Sequence, residues 1–407
     1  MPQPSTGPVV PIAYVSPGPY KVEYPYGYHF PINHPERCNQ LKPFVVLIVP
    51  VAPENRKDRI DIRMTWGNAT LVQDKVVSLF FLLGRSSVGD VTQIQQQLME
   101  ENNEYGDLLQ SDFVDTYKNL TIKTMVMMEW LRSYCTNVTY AMKIDSDMFL
   151  NVHNLISMLL TAKKENYLTG LVAHGAAVLR DKHSKWYLPM SVFPEKHYPL
   201  YALGLGYVFS VDLVTKIVEA SRHVPAVYIE DVYVGLCMRH LRILPTEPPA
   251  YKFHVFPLNY NRCTYSTIIA TTTKPSTNVR ENWKDFTRPV TMAPLGGEAL
   301  DPWSLSSASV SPDLGVFSLL LLILISIYLT SLCIDCRRSA KLEESAPSAR
   351  VNPMIDEIKK DELESSVSVQ GTEEESGAWF PAWRSHLSTQ QQPGQPAHND
   401  NIDLLPF

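Results

Sequence analysis

Three short, almost uninterrupted apolar runs limit most strongly how this chain folds: FVVLIVPVA from Phe44 to Ala52, VVSLFFLLG from Val76 to Gly84, and YAMKI from Tyr140 to Ile144. Their brevity and their mixture of β-branched and long apolar residues make each a strand buried on both faces. Between them lie segments with helical spacing: the basic NRKDRIDIRMTWG ending near Gly67, a stretch from about Val91 to Asn102, and Leu120 to Tyr134. That alternation predicts an α/β layer with parallel strands. It continues with a helix through LISMLL, short strands around Leu168 to Ala173, a strand YALGLGYVFS punctuated by Gly204 and Gly206, a helix DLVTKIVEAS, a second helix in VYIEDVYVGLC, and a closing strand near Tyr251 to Phe256.

The third strand ends in DSD, which places Asp145 and Asp147 one residue apart. Open α/β sheets bind ligands at the carboxyl ends of their strands. Mg²⁺ and Mn²⁺ prefer such oxygen donors, completing their shell with water and substrate phosphate. The simpler reading is a helix cap, with Asp147 opening the segment NVHNLISMLL. A second acidic pair, Glu230 and Asp231, opens a later helix, and Arg59 and Arg63 cluster on an earlier one. A cation on Asp145 or Asp147 would neutralise a nucleotide diphosphate leaving group, while Asp231 would serve as general base toward an acceptor hydroxyl. This is the division of labour of an inverting sugar transferase.

With 407 residues, 45% apolar and 19% charged, the chain is long enough for one large domain or two smaller ones. Its formal charge of -6 sits mainly beyond Cys336, where acidic residues outnumber basic ones, and no basic face for nucleic acid is implied. Residues 1–40, rich in Pro, Tyr and Gly, read as an extended stem, and 41–285 as the folded domain. A polar, Pro-containing linker at 286–313 leads to the uncharged run LGVFSLLLLILISIYLTSLCI at 314–334. As a helix this run reaches about 31 Å and predicts a membrane span. Arg337, Arg338 and Lys341 place the Ser, Glu, Gln and Pro-rich tail, 335–407, in the cytosol, where it is expected to be disordered. The sequons at Asn68, Asn119 and Asn137 all precede the span, in keeping with a lumenal domain. Cys38, Cys135, Cys237 and Cys263 allow three disulfide pairings or stand as buried thiols. The first forty residues carry no signal-peptide core, which suggests an incomplete amino terminus or an atypical entry route.

Taken in order, RIDIRMTWGN, FFLLG, DFVDTYKNLTIKTMVMMEW, KIDSDMFLN, SKWY, GYVFS and EDVYVGLC resemble the β-1,3-galactosyltransferase group of glycosyltransferase family 31, from about Tyr28 to about Trp283. The resemblance implies a GT-A type nucleotide-diphosphosugar transferase fold, a Rossmann-like mixed sheet flanked by helices. It further implies Mn²⁺ or Mg²⁺ dependence, UDP-galactose or UDP-N-acetylglucosamine as donor, a glycan acceptor on a glycoprotein or glycolipid, β-1,3 linkage, and a Golgi membrane location. By the same resemblance Asp145 and Asp147 are the metal pair, Asp231 the catalytic base and Glu230 its support. Arg59, Arg63, Trp66 and Gly67 fall in the uridine-diphosphate contact region, Lys143 lies beside the diphosphate, and Trp186, Tyr187, Gly204 and Gly206 shape the donor and acceptor pocket; Trp186 reads equally as a core residue. The chain departs from the family in three places. Ala202 and Leu203 stand where Cys-Ser is usual, His254 is slipped one residue from a position that supplies a further metal ligand, and the span is carboxyl-terminal. These departures support an alternative, a noncatalytic membrane protein that binds glycans or client glycoproteins.

Overall fold

The computed structural model describes residues 18–289. After a short helix α1 (Arg37–Leu41), β1 (Val45–Pro50) leads through α2 (Arg56–Arg63), a tight turn at Trp66–Asn68 and the two-residue β2 (Leu71–Val72) into β3 (Lys75–Arg85). The chain continues with α3 (Val91–Tyr105), β4 (Leu108–Val114), α4 (Leu120–Tyr134) and β5 (Tyr140–Ile144). Then come β6 (Met148–Leu150), α5 (Val152–Leu159), β7 (Leu168–Ala173), a long irregular segment, β8 (Tyr201–Ser210), α6 (Asp212–Ser221) and α7 (Glu230–His240). The last elements are β9 (Phe253–His254), α8 (Arg262–Thr267), β10 (Ala270–Thr272) and α9 (Val279–Thr287).

The three apolar runs become adjacent strands. β1 pairs in parallel with β3 on one side and β5 on the other, and β3 pairs in parallel with β4. β8 is antiparallel to both β5 and β7, so the sheet is mixed. Along β1, Val46 and Ile48 enter the core on one face while Val45, Leu47 and Val49 enter the other, as the period of two requires. The chain leaves β1 toward β3 and β4 and returns to β5 on the opposite side. The carboxyl ends of β1 and β5 therefore flank a topological switch point, where sheets of this kind open a crevice. A three-stranded sheet, β6-β10-β9, stands beside this crevice.

Several expectations change. The stretch to residue 40 is no extended stem from residue 20 onward: Val22, Tyr24 and Ile32 are buried, and backbone bridges join Lys21 to Val227 and Ile32 to Gln110. Tyrosines taken for spacer composition are core, Tyr24 donating to Glu129 at 2.7 Å. Cys38 and Cys135 form a disulfide, whereas the Cys237 thiol is buried in α7 and pushed up to about 12 by burial. β4, unread in the sequence because LLQSDFV mixes polar residues into its run, is an edge strand. Helix α5 is capped by Asn151, which accepts from the Asn154 amide at 3.1 Å, so Asp147 is released from the capping role. The strand near Phe256 is not the last of the core. β10 inserts between β6 and β9, and α9 packs Trp283 and Phe286 on Phe149. The predicted span at 314–334, with its linker from 290 onward and its tail, lies outside the described residues. Among the described residues no helix is long and apolar enough to cross a membrane.

Arg59 and Arg63 are scaffold. Arg59 is 1% exposed and donates to both oxygens of Glu101, at 2.8 and 2.7 Å, and to the carbonyls of Ala52 and Pro53. With its N–H groups committed, it has none for a nucleotide. Arg63 pairs with Glu101 at 2.8 Å and with Asp107 at 2.7 Å, its guanidinium 4.0 Å from the Tyr105 ring centroid. Burial works against the Glu101 charge, but the two arginines outweigh it and lower its pKa. Glu101→Ala strands the buried Arg59 and leaves Arg63 only Asp107, so urea unfolding should show a loss of about 3–5 kcal/mol; a change under 1 kcal/mol would refute this assignment.

Candidate active site

The site forms where β5, β8 and the first turn of α7 meet. The β5–β8 register sets Lys143 opposite Tyr207 and Ile144 opposite Gly206, and the Asp145 amide donates to the Leu205 carbonyl at 3.0 Å. Lys143, 5% exposed, directs its ammonium to three acceptors: Asp145 Oδ1 at 2.6 Å, Glu230 Oε1 at 3.2 Å and the Gly204 carbonyl. The acids of DSD and of EDV thus share one cation. Lys143 is hydrogen-bonded to Asp145 and the Gly204 carbonyl and ion-paired with Glu230, so it joins the two acidic motifs, where a place beside a diphosphate had been expected.

Gly204 makes this convergence possible. Its amide donates to Asp231 Oδ2 at 2.9 Å, and a Cβ added there would lie 2.7 Å from Glu230 Oε1 and 3.4 Å from Asp231 Oδ2. Gly206 is different, because an added Cβ would meet nothing closer than 3.6 Å. Gly204→Ala should therefore cost about 1–3 kcal/mol through overpacking against the acids, with Gly206→Ala milder, as read by paired thermal melts; equal shifts would contradict the difference.

Asp231 also accepts from the Val232 amide at 2.8 Å, and burial raises its pKa. Glu230 receives hydrogen bonds from Thr124 at 3.1 Å and Tyr207 at 3.3 Å. Burial pushes it up to about 7; Lys143 opposes that rise, and Asp231 and Asp145 reinforce it. The Lys143 ammonium itself stays charged: burial opposes it, but Asp145 and Glu230 raise its pKa well above the ordinary lysine range.

Asp147 is the uncompensated member. Burial and then the Asp145 charge push its carboxyl up to about 7, with Asp58 a further negative neighbour. Its backbone is fixed by the residue just after β10, the Thr273 amide and hydroxyl donating to the Asp147 carbonyl at 2.8 and 2.7 Å. Trp66, 3% exposed, donates to the Met148 carbonyl at 3.0 Å, which makes it a brace for the acidic loop where a uridine contact had been expected. A partly buried carboxylate beside a second one, with no ion pair to a protein cation among the described residues, has the donor chemistry of a hard divalent cation site. His254 does not join it. It lies on β9, separated from β6 by β10, with its Nε2 3.1 Å from the Tyr251 carbonyl. Among the described residues no three His, Cys, Asp or Glu side chains converge as a ligand set.

Sequence reasoning missed the floor of the site. Lys123, buried on α4, donates to Asp115 at 2.7 Å and to the Val51 carbonyl at 2.9 Å, and the Gly84 amide donates to the same Asp115 oxygen at 2.8 Å. This knot ties the carboxyl ends of β1, β3 and β4 together. Both residues lie in DFVDTYKNLTIKTMVMMEW, but a lysine inside an apolar helical stretch was the only signal of a buried pair. Trp186 is half-buried against the core, and the Lys185 ammonium lies 4.3 Å from its ring.

The Asp147 and Glu230 pKa values give a sign for pH dependence. Their folded-state values lie above those of the unfolded chain, so the native state holds the extra protons and metal-free stability should fall as pH rises from about 4 to about 7. Melts in EDTA across that window should show the fall, with Asp147→Asn flattening it; a rising or level curve would sink the assignment.

A mixed sheet with helices on its faces, and two acidic motifs meeting at its switch point, define a glycosyltransferase domain. Residues 57–249 match the galactosyltransferase family model, and the chain belongs to this family. It is 42% identical over 252 residues to β-1,3-galactosyltransferase 2 of Pongo abelii, an alignment covering 60% of each chain. To β-1,3-galactosyltransferase 1 of Mus musculus it is 35% identical over 265 residues, covering 64% of this chain and 79% of the relative. The chain thus spans about 60% of the length of its β-1,3-galactosyltransferase 2 relatives. Among solved structures, the WbbM bifunctional glycosyltransferase in its apo form overlaps 60% of this chain and 49% of its own at a TM-score of 0.32 and 11% identity, too low to carry weight.

Proposed function

We propose that this protein is an inverting, metal-dependent hexosyltransferase that moves galactose, or N-acetylglucosamine, from a UDP-sugar to a hydroxyl of a glycan on glycoprotein or glycolipid, forming a β-1,3 linkage. The observation that carries this reading is the meeting of Asp145, Glu230 and Asp231 around Lys143 and Gly204. Mn²⁺ or Mg²⁺ held by Asp145 and Asp147 would supply positive charge to the departing diphosphate. Asp231 does the proton work. Each of its oxygens accepts one backbone N–H, leaving lone pairs for an acceptor hydroxyl, and burial raises its basicity. Glu230, hydrogen-bonded by Thr124 and Tyr207, orients the turn that presents Asp231. The GT-A assignment, the Golgi membrane and the lumenal placement of residues 41–285 belong to the same reading, supported by kinship with the β-1,3-galactosyltransferases and by sequons confined to the region before residue 314.

Calorimetry with UDP should give binding heat in Mn²⁺ that vanishes in EDTA and in Asp147→Ala. Asp231→Asn should keep that heat yet lower sugar transfer by ~10²–10⁴-fold. Full transfer in excess EDTA would end the mechanism, and an absence of metal-dependent heat would favour the noncatalytic glycan-binding alternative.

A further inference from the structure

Asp145 is aimed by Lys143, but Asp147 makes no ion pair among the described residues, so its carboxylate points where its backbone sends it. Two arms from separate elements grip that backbone. One comes from the end of β10, where Thr273 donates its amide and its hydroxyl to the Asp147 carbonyl at 2.8 and 2.7 Å. The other comes from the end of α2, where the Trp66 indole donates to the next carbonyl, that of Met148, at 3.0 Å.

The arms are themselves joined. Helix geometry turns Asp61 to the face of α2 away from Arg59 and Arg63, and there its carboxylate, 13% exposed, meets the Arg280 guanidinium of α9 at 2.6 Å. α9 follows Thr273 after a tight turn, in which the Thr277 amide donates to the Lys274 carbonyl at 2.9 Å, and it rests Trp283 and Phe286 on Phe149. The contacts close into a ring: Asp147 to Thr273, along the chain to Arg280, across to Asp61, along α2 to Trp66, and back to Met148. Within the ring lies a cleft of about 40 Å³, lined by Asp61 and Trp66 of one arm, Thr273 and Trp283 of the other, and Ser146 of DSD. Such a space holds a few waters at most. A hollow centre has few atoms to pack, so the ring depends on the contacts around its rim. Asp61 has a second cation, Lys57 at 2.7 Å, but that pair stays within α2 and closes nothing.

We propose that Asp61 and Arg280 are positioning residues for the divalent cation: their ion pair closes the ring that grips the Asp147 and Met148 carbonyls, and so holds the Asp147 carboxylate in place for the metal. This rests on the transferase reading above. Both residues act through the backbone of the acidic loop. Asp231, held by the Gly204 and Val232 amides, stands outside the ring, so proton transfer does not pass through it.

The test uses the full chain, and Arg280 is exposed enough to be changed without emptying the core. At saturating UDP, Arg280→Gln should weaken Mn²⁺ binding roughly two- to fivefold by calorimetry, the range of a partly exposed ion pair, and Arg280→Lys should recover most of the loss. Lys57→Gln takes the same charge from the same carboxylate without opening the ring, and should leave Mn²⁺ affinity unchanged. Thr273→Val opens the ring at another point, so Arg280→Gln/Thr273→Val should lose less than the product of the two single losses. Amide exchange in EDTA reads the ring without metal: residues 145–150 should exchange faster in Arg280→Gln and as in wild type in Lys57→Gln. An unchanged Mn²⁺ affinity, equal effects of Arg280→Gln and Lys57→Gln, or fully multiplying losses in the double variant would overturn the proposal. If the wild type gives no Mn²⁺-dependent heat, the metal-dependent reading fails by itself. Exchange in EDTA then decides the ring: faster exchange at 145–150 in Arg280→Gln alone supports it, and unchanged exchange overturns it.

Discussion

The ammonium of Lys143 is the contact on which this site depends. It lies inside the domain, where burial opposes its charge, and it persists because acceptors from the loop after β5, from β8 and from the α7 turn surround it. Without it, Asp145, Glu230 and Asp231 would repel one another across a poorly solvated space, and α7 would lose its electrostatic tie to the sheet. The arrangement also explains the asymmetry of the acids. One lysine pairs with Asp145 and Glu230, whereas it makes no ion pair with Asp147 and only partly offsets the rise that burial and Asp145 impose there. The side of the loop left short of positive charge is where the proposed cation would sit.

Buried cations elsewhere solve a different problem. The Arg59 and Arg63 network joins α2 to α3 and to the start of β4 through Glu101 and Asp107. That fixes the end of α2, and with it Trp66, whose indole holds the Met148 carbonyl just after DSD. The Lys123–Asp115 knot performs the same service below, tying strand ends. The motif residues that look most suited to binding phosphate are therefore one layer behind the chemistry. Their charge stabilises the frame that aims Asp145 and Asp147.

How much of this could be read from sequence followed from what each signal encodes. Strands β1, β3 and β5 are apolar on both faces, so their runs stand out, and α4 shows its helical period across the whole of Leu120–Tyr134. Both acidic motifs were placed at element ends for the same reason. β4 was missed because an edge strand tolerates Gln110, Ser111 and Asp112 within it. β9 and β10 were blurred because two or three residues show no period, and they exist through pairing, β10 with β6 and β9 with β10. The ion pairs that hold Arg59, Arg63 and Lys143 were not legible for one reason: sequence gives a side chain's charge but not its distance from a partner, and Glu101 lies 42 residues from Arg59.

The departure at Ala202 and Leu203 shows the same distinction from the other side. Ala202 is 4% exposed, pairs with Val172 across β7 and β8, and belongs to the core, so a methyl group there is absorbed by packing. Leu203 is half-buried against the same cluster. What this part of β8 contributes to the acids is main chain: the Gly204 amide to Asp231, the Gly204 carbonyl to Lys143 and the Leu205 carbonyl to the Asp145 amide. Backbone groups keep their positions when neighbouring side chains change, provided the strand register holds and residue 204 stays small. The acid constellation therefore draws on the backbone of this stretch and not on the side chains at 202 and 203.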